Sequence, residues 1–320
     1  MTQQENNATS TSSASPASPA SMGAVYAILA FSLWGVFPVY FKVVSEVPPF
    51  EVLAHRILWS VVLVGILLVI TRRLKDVAVI FTSKKLFGLL VLSSLTISLN
   101  WLIFIWAVTN DMLLQTSLGY FINPLVSVAL GFIFLKERLR RWQTVAVIIA
   151  LVGVVNLVFQ NGSPPWIALG VAVSFGFYGL IRKVAQVKAF AGLFIETLIV
   201  LPPVLAYLVY IGFEGTGFFG RGDLQMDGLL VLAGLMTATP LVLFALAAKR
   251  LRLASLGFFQ YIAPTGHFIL AVVVYGETFT TADGITFGMI WLALAVYTFD
   301  SIKAMRQSSK PVLGGAGDTT

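Results

Sequence analysis

The chain has 320 residues, of which 58% are hydrophobic and only 11% are charged, and its mean hydropathy is +0.90. A soluble domain carries about 25% charged residues because water must cover its surface, so this composition excludes an ordinary soluble protein. The net charge of +7 does not indicate a nucleic-acid partner, because the basic residues lie in short clusters between apolar blocks. The chain has no cysteine and two distant histidines, His55 and His267, so we expect no metal and no other cofactor.

Residues 1–21 are rich in Ser, Thr, Ala and Pro and lack Lys and Arg, which predicts a disordered tail rather than a cleaved leader. A second disordered tail is predicted at residues 303–320. Between them lie apolar blocks of about 18–24 residues, the length with which a helix crosses the hydrocarbon core. Transmembrane helices are predicted at 23–43, 50–71, 86–108, 113–135, 142–160, 165–182, 190–212, 228–248, 253–275 and 282–300.

The distribution of Lys and Arg predicts the orientation of these ten spans. Nearly all basic residues follow even-numbered spans, whereas the loops after odd-numbered spans carry only Arg221. Such an asymmetry is what the positive-inside rule produces, so both tails are predicted to be cytoplasmic.

Two segments of the chain share one pattern, which indicates an internal duplication. Residues 117–137 read SLGYFINPLVSVALGFIFLKE and residues 255–277 read SLGFFQYIAPTGHFILAVVVYGE. Each has SLG, two aromatic residues, a proline and a later glutamate; the prolines are Pro124 and Pro264, and the glutamates are Glu137 and Glu277.

The duplication predicts a first repeat at residues 22–160 and a second at 161–302, each with five spans. Because five is odd, the second repeat must cross the bilayer in the opposite direction. The basic run RLRR follows the first glutamate, but TFTTAD follows the second, as inversion requires. The expected fold is therefore an all-α integral membrane protein with ten transmembrane helices in two inverted five-helix repeats, an arrangement typical of secondary transporters.

Several stretches resemble the EamA family of the drug/metabolite transporter superfamily, and together they span most of residues 23–300. They are WGVFPVYFK (34–42), EVLAHRILWS (51–60), NWLIFIWAV (100–108), SLGYFINPL (117–125), SFGFYGLIRK (174–183) and RLRLASLGFFQYIAPT (250–265). The resemblance implies ten spans in two EamA repeats, an inner-membrane location and a transporter role.

Ionisable residues within a span are costly, so they usually face a cavity or a partner. Arg56 is either a cavity arginine that binds an anionic group or an arginine that snorkels to the outer interface. Glu196 occupies the position in the second repeat that matches Arg56, at a mirrored depth, so a direct ion pair between them is not expected. We assign them to the outer and inner gating regions. Burial disfavours a charged carboxyl group, which makes Glu196 the candidate for proton coupling, with a structural hydrogen bond as the alternative.

Other polar residues in the spans have two interpretations each. Glu51 and His55 lie four residues apart and can form a pair in the outer vestibule, although His55 can equally be structural. The amides of Asn100, Asn123 and Gln260 either bind a solute or join helices.

The duplicated prolines and the deeper aromatic residues complete the candidate set. Pro124 and Pro264 are hinge candidates or simple kinks. Trp34, Tyr120 and Tyr178 can line a cavity, although packing explains each of them equally well.

We expect the protein to move a small organic solute through the lipid bilayer, by alternating access and with possible proton coupling. The chain has no Walker A sequence, which argues against ATP hydrolysis, and no nucleophile with its base, which argues against an intramembrane enzyme. A channel or a membrane receptor is the alternative. A homodimer is compatible with the sequence, although no GxxxG run argues for one.

Overall fold

The computed structural model describes residues 19–248, 250–251 and 259–308, and within them the backbone forms helices joined by turns and loops, with no β-strand. The described α-helices are α1 (Pro19–Val43), α2 (Pro49–Ile70), α3 (Leu74–Ala78), α4 (Lys84–Thr109), α5 (Leu113–Leu135), α6 (Arg141–Asn161), α7 (Trp166–Ala185), α8 (Ala189–Phe213), α9 (Leu224–Ala248), α10 (Ile262–Ile269) and α11 (Thr281–Ser308). A 3-10 turn at Val79–Thr82 follows α3, and a π-helix at Leu270–Val274 continues α10.

In this part of the chain, nine helices are long and apolar enough to cross a membrane, namely all except α3 and α10. They agree with nine of the ten predicted spans, with boundaries that differ by a few residues, except that α11 continues to Ser308. The chain is therefore an all-α, multi-pass membrane protein, as its composition predicts. The ninth predicted span, 253–275, is described from residue 259 onward, where it contains a shorter apolar helix at Ile262–Val274. Its first residues, 253–258, lie outside the described residues, as do residues 1–18 and 309–320 of the two predicted tails.

Local sequence signals explain several helix ends. Helix α2 begins with Pro49, a residue that suits the first helical position because its missing N–H has no intrahelical partner there. Helix α4 begins after Ser83, whose hydroxyl oxygen accepts a hydrogen bond from the Leu86 amide at 3.3 Å. Helix α6 ends at Asn161, and Gly162 follows with φ of +68°, the left-handed conformation that glycine adopts at little cost. The residues between α2 and α4, predicted as a simple basic loop, instead form the short helix α3 and its 3-10 turn.

Many helix contacts occur twice, once for one pair of helices and once for the pair that corresponds to it in the predicted repeats. Helix α5 packs on α7 and α10 packs on α1; α4 also packs on α7, as α9 does on α1. Helix α2 contacts α9, and α8 contacts α4. The contacts of α2 with α8, α5 with α10 and α6 with α11 each join helices that occupy corresponding places in the two predicted repeats.

Close helix crossings depend on small residues. A β-carbon added to Gly119 of α5 would lie 2.6 Å from the carbonyl oxygen of Ala168 in α7. One added to Gly266 of α10 would lie 3.1 Å from the α-carbon of Gly35 in α1. Helices in lipid gain no hydrophobic free energy by meeting each other, so close backbone approach of this kind supplies much of their packing energy. Large apolar side chains such as Phe159 (83% exposed) and Phe213 (89% exposed) lie on the outside, where lipid can cover them.

Candidate functional site

Arg56 lies about 10 Å along α2 from Pro49 by helical rise. It is buried, with 6% of its surface exposed. Its Nε donates a hydrogen bond to Oγ1 of Thr237 in α9 at 2.9 Å, and the Thr237 hydroxyl donates to the Ala233 carbonyl at 3.0 Å. Its guanidinium carbon lies 4.2 Å from the centroid of the Trp101 ring in α4. Arg56 is thus held in place by side chains from two other helices.

No carboxylate within ion-pair distance balances the charge of Arg56 in the described part of the chain. The same residues provide no hydrogen-bond acceptor for its two terminal nitrogens, Nη1 and Nη2. The phenols of Tyr40 and Tyr120 also lie within electrostatic range of the guanidinium. An unpaired cation buried in a membrane protein is costly, which makes Arg56 a candidate for binding a ligand that supplies the missing charge.

Aromatic rings surround this position. Tyr120 lies with its ring centroid 5.7 Å from that of Phe104 and 6.0 Å from that of Phe175. Phe104 in turn packs edge-on against Phe41, and Phe41 lies 5.9 Å from the Arg56 guanidinium carbon. We refer to Arg56, Trp101, Thr237, Tyr40 and Tyr120, with Phe41 and Phe104, as the arginine site.

The predicted amides have different surroundings. Asn100 donates through Nδ2 to the Val171 carbonyl and to Ser174, both at 3.0 Å, and accepts from the Tyr120 hydroxyl at 3.3 Å, so it joins α4 to α7 and orients Tyr120. The Oδ1 of Asn123 is buried with no hydrogen-bond partner among the described residues. The side chain of Gln260 interacts with that of Tyr261. Of the three amides, the structure links Asn100 to the arginine site through Tyr120.

His267, which is not among the predicted site residues, lies beside the arginine site. It is 3% exposed, and its ring centroid lies 5.2 Å from that of Phe104 and 5.7 Å from that of Tyr120. Its Nε2 lies 3.0 Å from the carbonyl oxygen of Trp34, which can only accept, so Nε2 carries the hydrogen. His267 therefore ties α10 to α1. The ring of Trp34, predicted to line a cavity, packs against Phe31 and Phe244.

Glu196 is the centre of a second polar cluster, which we call the glutamate cluster: Glu196, Ser93, Tyr178 and Arg182. The carboxylate is 1% exposed and accepts hydrogen bonds from Ser93 at 2.6 Å, from Arg182 Nη1 at 3.3 Å and from Tyr178 at 3.5 Å. Its ion-pair partner is Arg182 of α7, so Glu196 does not pair with Arg56. By its place in the sequence, at the end of a predicted span, Arg182 indicates only the topology. Tyr178 belongs to this cluster. Its ring packs against Phe175, which in turn packs against Tyr120 of the arginine site.

Glu51 and His55 lie near the start of α2. The Glu51 carboxylate accepts hydrogen bonds from the amides of Phe218 at 2.6 Å and Phe219 at 3.3 Å, and so anchors the loop between α8 and α9. His55 Nε2 lies 3.9 Å from Glu51, within ion-pair range but beyond hydrogen-bond distance. The His55 ring packs against that of Phe219, with centroids 4.9 Å apart, and both of its nitrogens are buried without a hydrogen-bond partner in the described residues.

The two copies of the repeated segment contact each other directly. The hydroxyl of Ser117 in α5 donates to the carbonyl of Pro264 in α10 at 2.8 Å. The Glu277 carboxylate, beyond the end of α10, accepts hydrogen bonds from the amides of Leu113 and Leu114 at 2.8 Å each. These amides open α5 and have no intrahelical partner, so Glu277 caps the helix from the other half of the chain.

Glu277→Ala is expected to lower the free energy of unfolding by about 1–2 kcal/mol, because two cap hydrogen bonds and a favourable charge–dipole interaction are lost. Titration of the purified protein with SDS in mixed micelles measures this change. The matched control is Glu137→Ala, the corresponding glutamate of the first repeat. Glu137 is half-exposed and pairs with the exposed Lys183, an interaction worth about 0–1 kcal/mol. Equal losses for the two variants would contradict the capping role.

Comparison with known proteins defines the class. A sequence profile of the EamA-like transporter family matches residues 21–159. Protein RarD of Escherichia coli K12 is 46% identical over 88% of this chain and 95% of that protein. An uncharacterized transporter of Vibrio cholerae is 46% identical over 86% of this chain and 91% of that protein. A protein of Pseudomonas aeruginosa described as the chloramphenicol-sensitive protein RarD is 31% identical over 85% of this chain and 92% of that protein.

A solved crystal structure shares the fold: it is 20% identical, covers 88% of this chain and 98% of its own, and superposes with a TM-score of 0.53. Together with the helices described above, these similarities define a multi-pass membrane protein of a transporter class. The chain belongs to the EamA-like transporter family.

Proposed function

We propose that this protein is a secondary transporter that moves a small organic solute through the bacterial inner membrane by alternating access. The arginine site carries this proposal, because Arg56 is buried between α2, α4 and α9 with no carboxylate partner in the described residues. The transporter descriptions of relatives that match most of the chain support the same conclusion. A solute bound there would contact helices from both halves of the chain.

We further propose that residues 22–160 and 161–302 are two inverted five-helix repeats, with the tails 1–21 and 303–320 in the cytoplasm. The matched helix contacts support the repeats, and the basic residues after even-numbered spans support the orientation. Rocking of one repeat against the other would open the arginine site to each side in turn. The contacts of α5 with α10 lie at the joint between the repeats, and Pro124 and Pro264 on these helices are the proposed hinges.

Proton coupling is assigned to the glutamate cluster. Protonation of Glu196 would remove the charge that holds Arg182, so the link between α7 and α8 would weaken when a proton binds. Glu51 and His55 are proposed to act at the outer side, where Glu51 holds the loop that contains Phe219.

A thermal-shift screen of the purified protein tests the binding site. Amino acids, nucleosides, small drugs including chloramphenicol, and organic anions are added to the wild type and to Arg56→Ala. A ligand at 100 times its Kd stabilises the protein by about 2.7 kcal/mol, which is readily measured. We expect at least one solute class to stabilise the wild type and to have no effect on Arg56→Ala. A ligand that stabilises both equally would place the site elsewhere.

Counterflow in proteoliposomes, with any solute that binds, separates transport from the alternatives. A transporter exchanges labelled for unlabelled solute with saturation, a channel conducts without counterflow, and a receptor binds without flux. In the same assay, Glu196→Gln is expected to keep exchange but lose its dependence on a pH gradient. Unchanged pH dependence in Glu196→Gln would overturn the assignment of proton coupling to this residue.

A further inference from the structure

We infer that the solute of the arginine site is a small organic monocarboxylate whose carboxylate binds end-on to Nη1 and Nη2 of Arg56 and whose body is apolar or aromatic. This inference rests on the proposed transport function and specifies its substrate class. It follows from three features of the described residues: the balance of charge, the free edge of the guanidinium and the nature of the surrounding side chains.

The unpaired positive charge of Arg56 indicates that the solute carries one negative charge. Glu196 is already paired with Arg182, and Glu51 is engaged by the Phe218 and Phe219 amides. Among the described residues, the hydrogen-bond partner of Arg56 is the neutral hydroxyl of Thr237, and its guanidinium lies near the rings of Phe41 and Trp101. A bound monoanion would therefore neutralise the site, whereas a cation would add to an existing positive charge.

The geometry of Arg56 selects the shape of the anionic group. Thr237 occupies Nε and Trp101 covers one face of the guanidinium, so the edge formed by Nη1 and Nη2 is the one without a partner among the described residues. Two parallel N–H donors on one edge match the two oxygens of a carboxylate. A lysine ammonium could not provide this fork.

The surrounding side chains decide against multiply charged and zwitterionic solutes. The Tyr40 hydroxyl already donates to the Leu229 carbonyl at 2.9 Å, and the Tyr120 hydroxyl donates to Asn100. Neither hydroxyl hydrogen is therefore free for a second anionic oxygen, and no further cation pairs with this site among the described residues. If the carboxylate of an amino acid bound Arg56, no carboxylate that pairs with this site among the described residues would be available for its ammonium group. Phe41, Phe104 and Trp101 provide aromatic faces for an apolar body.

Matched compounds test this class. Phenylacetate, indole-3-acetate and hexanoate are compared with their neutral amides, with phenethylamine, with phenylalanine and with phenyl phosphate, using thermal shift and competition for binding. We expect a carboxylate to bind at least about tenfold more tightly than its own amide, because one charge-assisted hydrogen bond is worth a factor of this order. Phenethylamine is expected not to bind.

Three variants separate a ligand role for Arg56 from a structural one. Arg56→Lys keeps the charge but loses the fork, so we expect carboxylate affinity to fall about tenfold or more. Thr237→Val keeps Arg56 and frees Nε, so we expect a smaller loss. Arg56→Met is expected to abolish carboxylate binding while the unliganded protein unfolds at the same temperature or higher, because an unpaired buried charge has been removed.

The outcomes are distinguishable. Equal affinity for a carboxylate and its amide, a preference for the amine, or wild-type affinity in Arg56→Lys would overturn the monocarboxylate inference. Counterflow of a neutral or cationic solute would then leave the proposed transport function intact. Absence of counterflow for every solute class would refute both proposals.

Discussion

Replacing Gly192 with alanine is expected to lower the free energy of unfolding by about 3 kcal/mol, a cost typical of breaking a buried ion pair. A β-carbon at residue 192 would overlap Nη1 of Arg182 and lie 2.5 Å from its Cζ. The guanidinium would have to swing away, and the buried Glu196 carboxylate would lose its ion-pair partner. SDS titration measures the change in stability, and proteoliposome exchange measures the accompanying change in pH dependence.

Gly212→Ala is the control on the same helix, because nothing lies within 4 Å of a β-carbon there. We expect it to be neutral or slightly stabilising, since alanine favours a helix over glycine. A double-mutant cycle with Glu196→Gln completes the test: Gly192→Ala should cost much less when the carboxylate is absent. A cost that is the same in both backgrounds would show that the alanine acts through something other than the ion pair.

Gly234→Ala is expected to produce a similar loss of about 3 kcal/mol, the upper end of the usual range for overpacking. A β-carbon at residue 234 would lie 2.5 Å from Cβ and 2.6 Å from the backbone carbon of Trp59 in α2. Because backbone atoms cannot rotate away, α9 would have to move from α2. Thr237 lies one turn further along α9, so its hydrogen bond to Arg56 would also be disturbed and solute affinity should fall.

Gly228→Ala, on the same helix with nothing within 4 Å of the added carbon, is the matched control for both stability and affinity. The two readouts should change together in Gly234→Ala. Full stability and wild-type affinity in this variant would mean that α9 can shift without cost, contrary to the close contact seen here.

The transmembrane helices could be predicted from sequence because their signal is local. A block of about 20 apolar residues has few other structures open to it in lipid, and Pro49, Ser83 and Gly162 mark helix ends by their own conformational preferences. The short helix α3 was missed because five residues carry too little periodicity to be recognised.

The candidate site could be predicted only in part because side-chain partners lie far apart in the sequence. Arg56 and Glu196 could be selected because a charged side chain within an apolar span is costly, and such a residue is visible in the sequence alone. Their partners could not be predicted, because Thr237 lies 181 residues from Arg56 and Ser93 lies 103 residues from Glu196. Arg182 was classed with the basic loops because a charge at a helix end is usually a topology signal. One nearby residue agrees with a buried Arg182: Gly192 has no side chain, which leaves room for the Arg182 guanidinium.

The cap on α5 also has a consequence for the order of events during synthesis. The Leu113 amide and the Glu277 carboxylate that binds it are separated by 164 residues. At about 5–20 residues per second, a ribosome needs roughly 10–30 s to make the chain between them. Throughout that interval the Leu113 and Leu114 amides lack this carboxylate and can donate to water instead. The first half of the protein is therefore inserted early but reaches its final structure only after the second half has emerged.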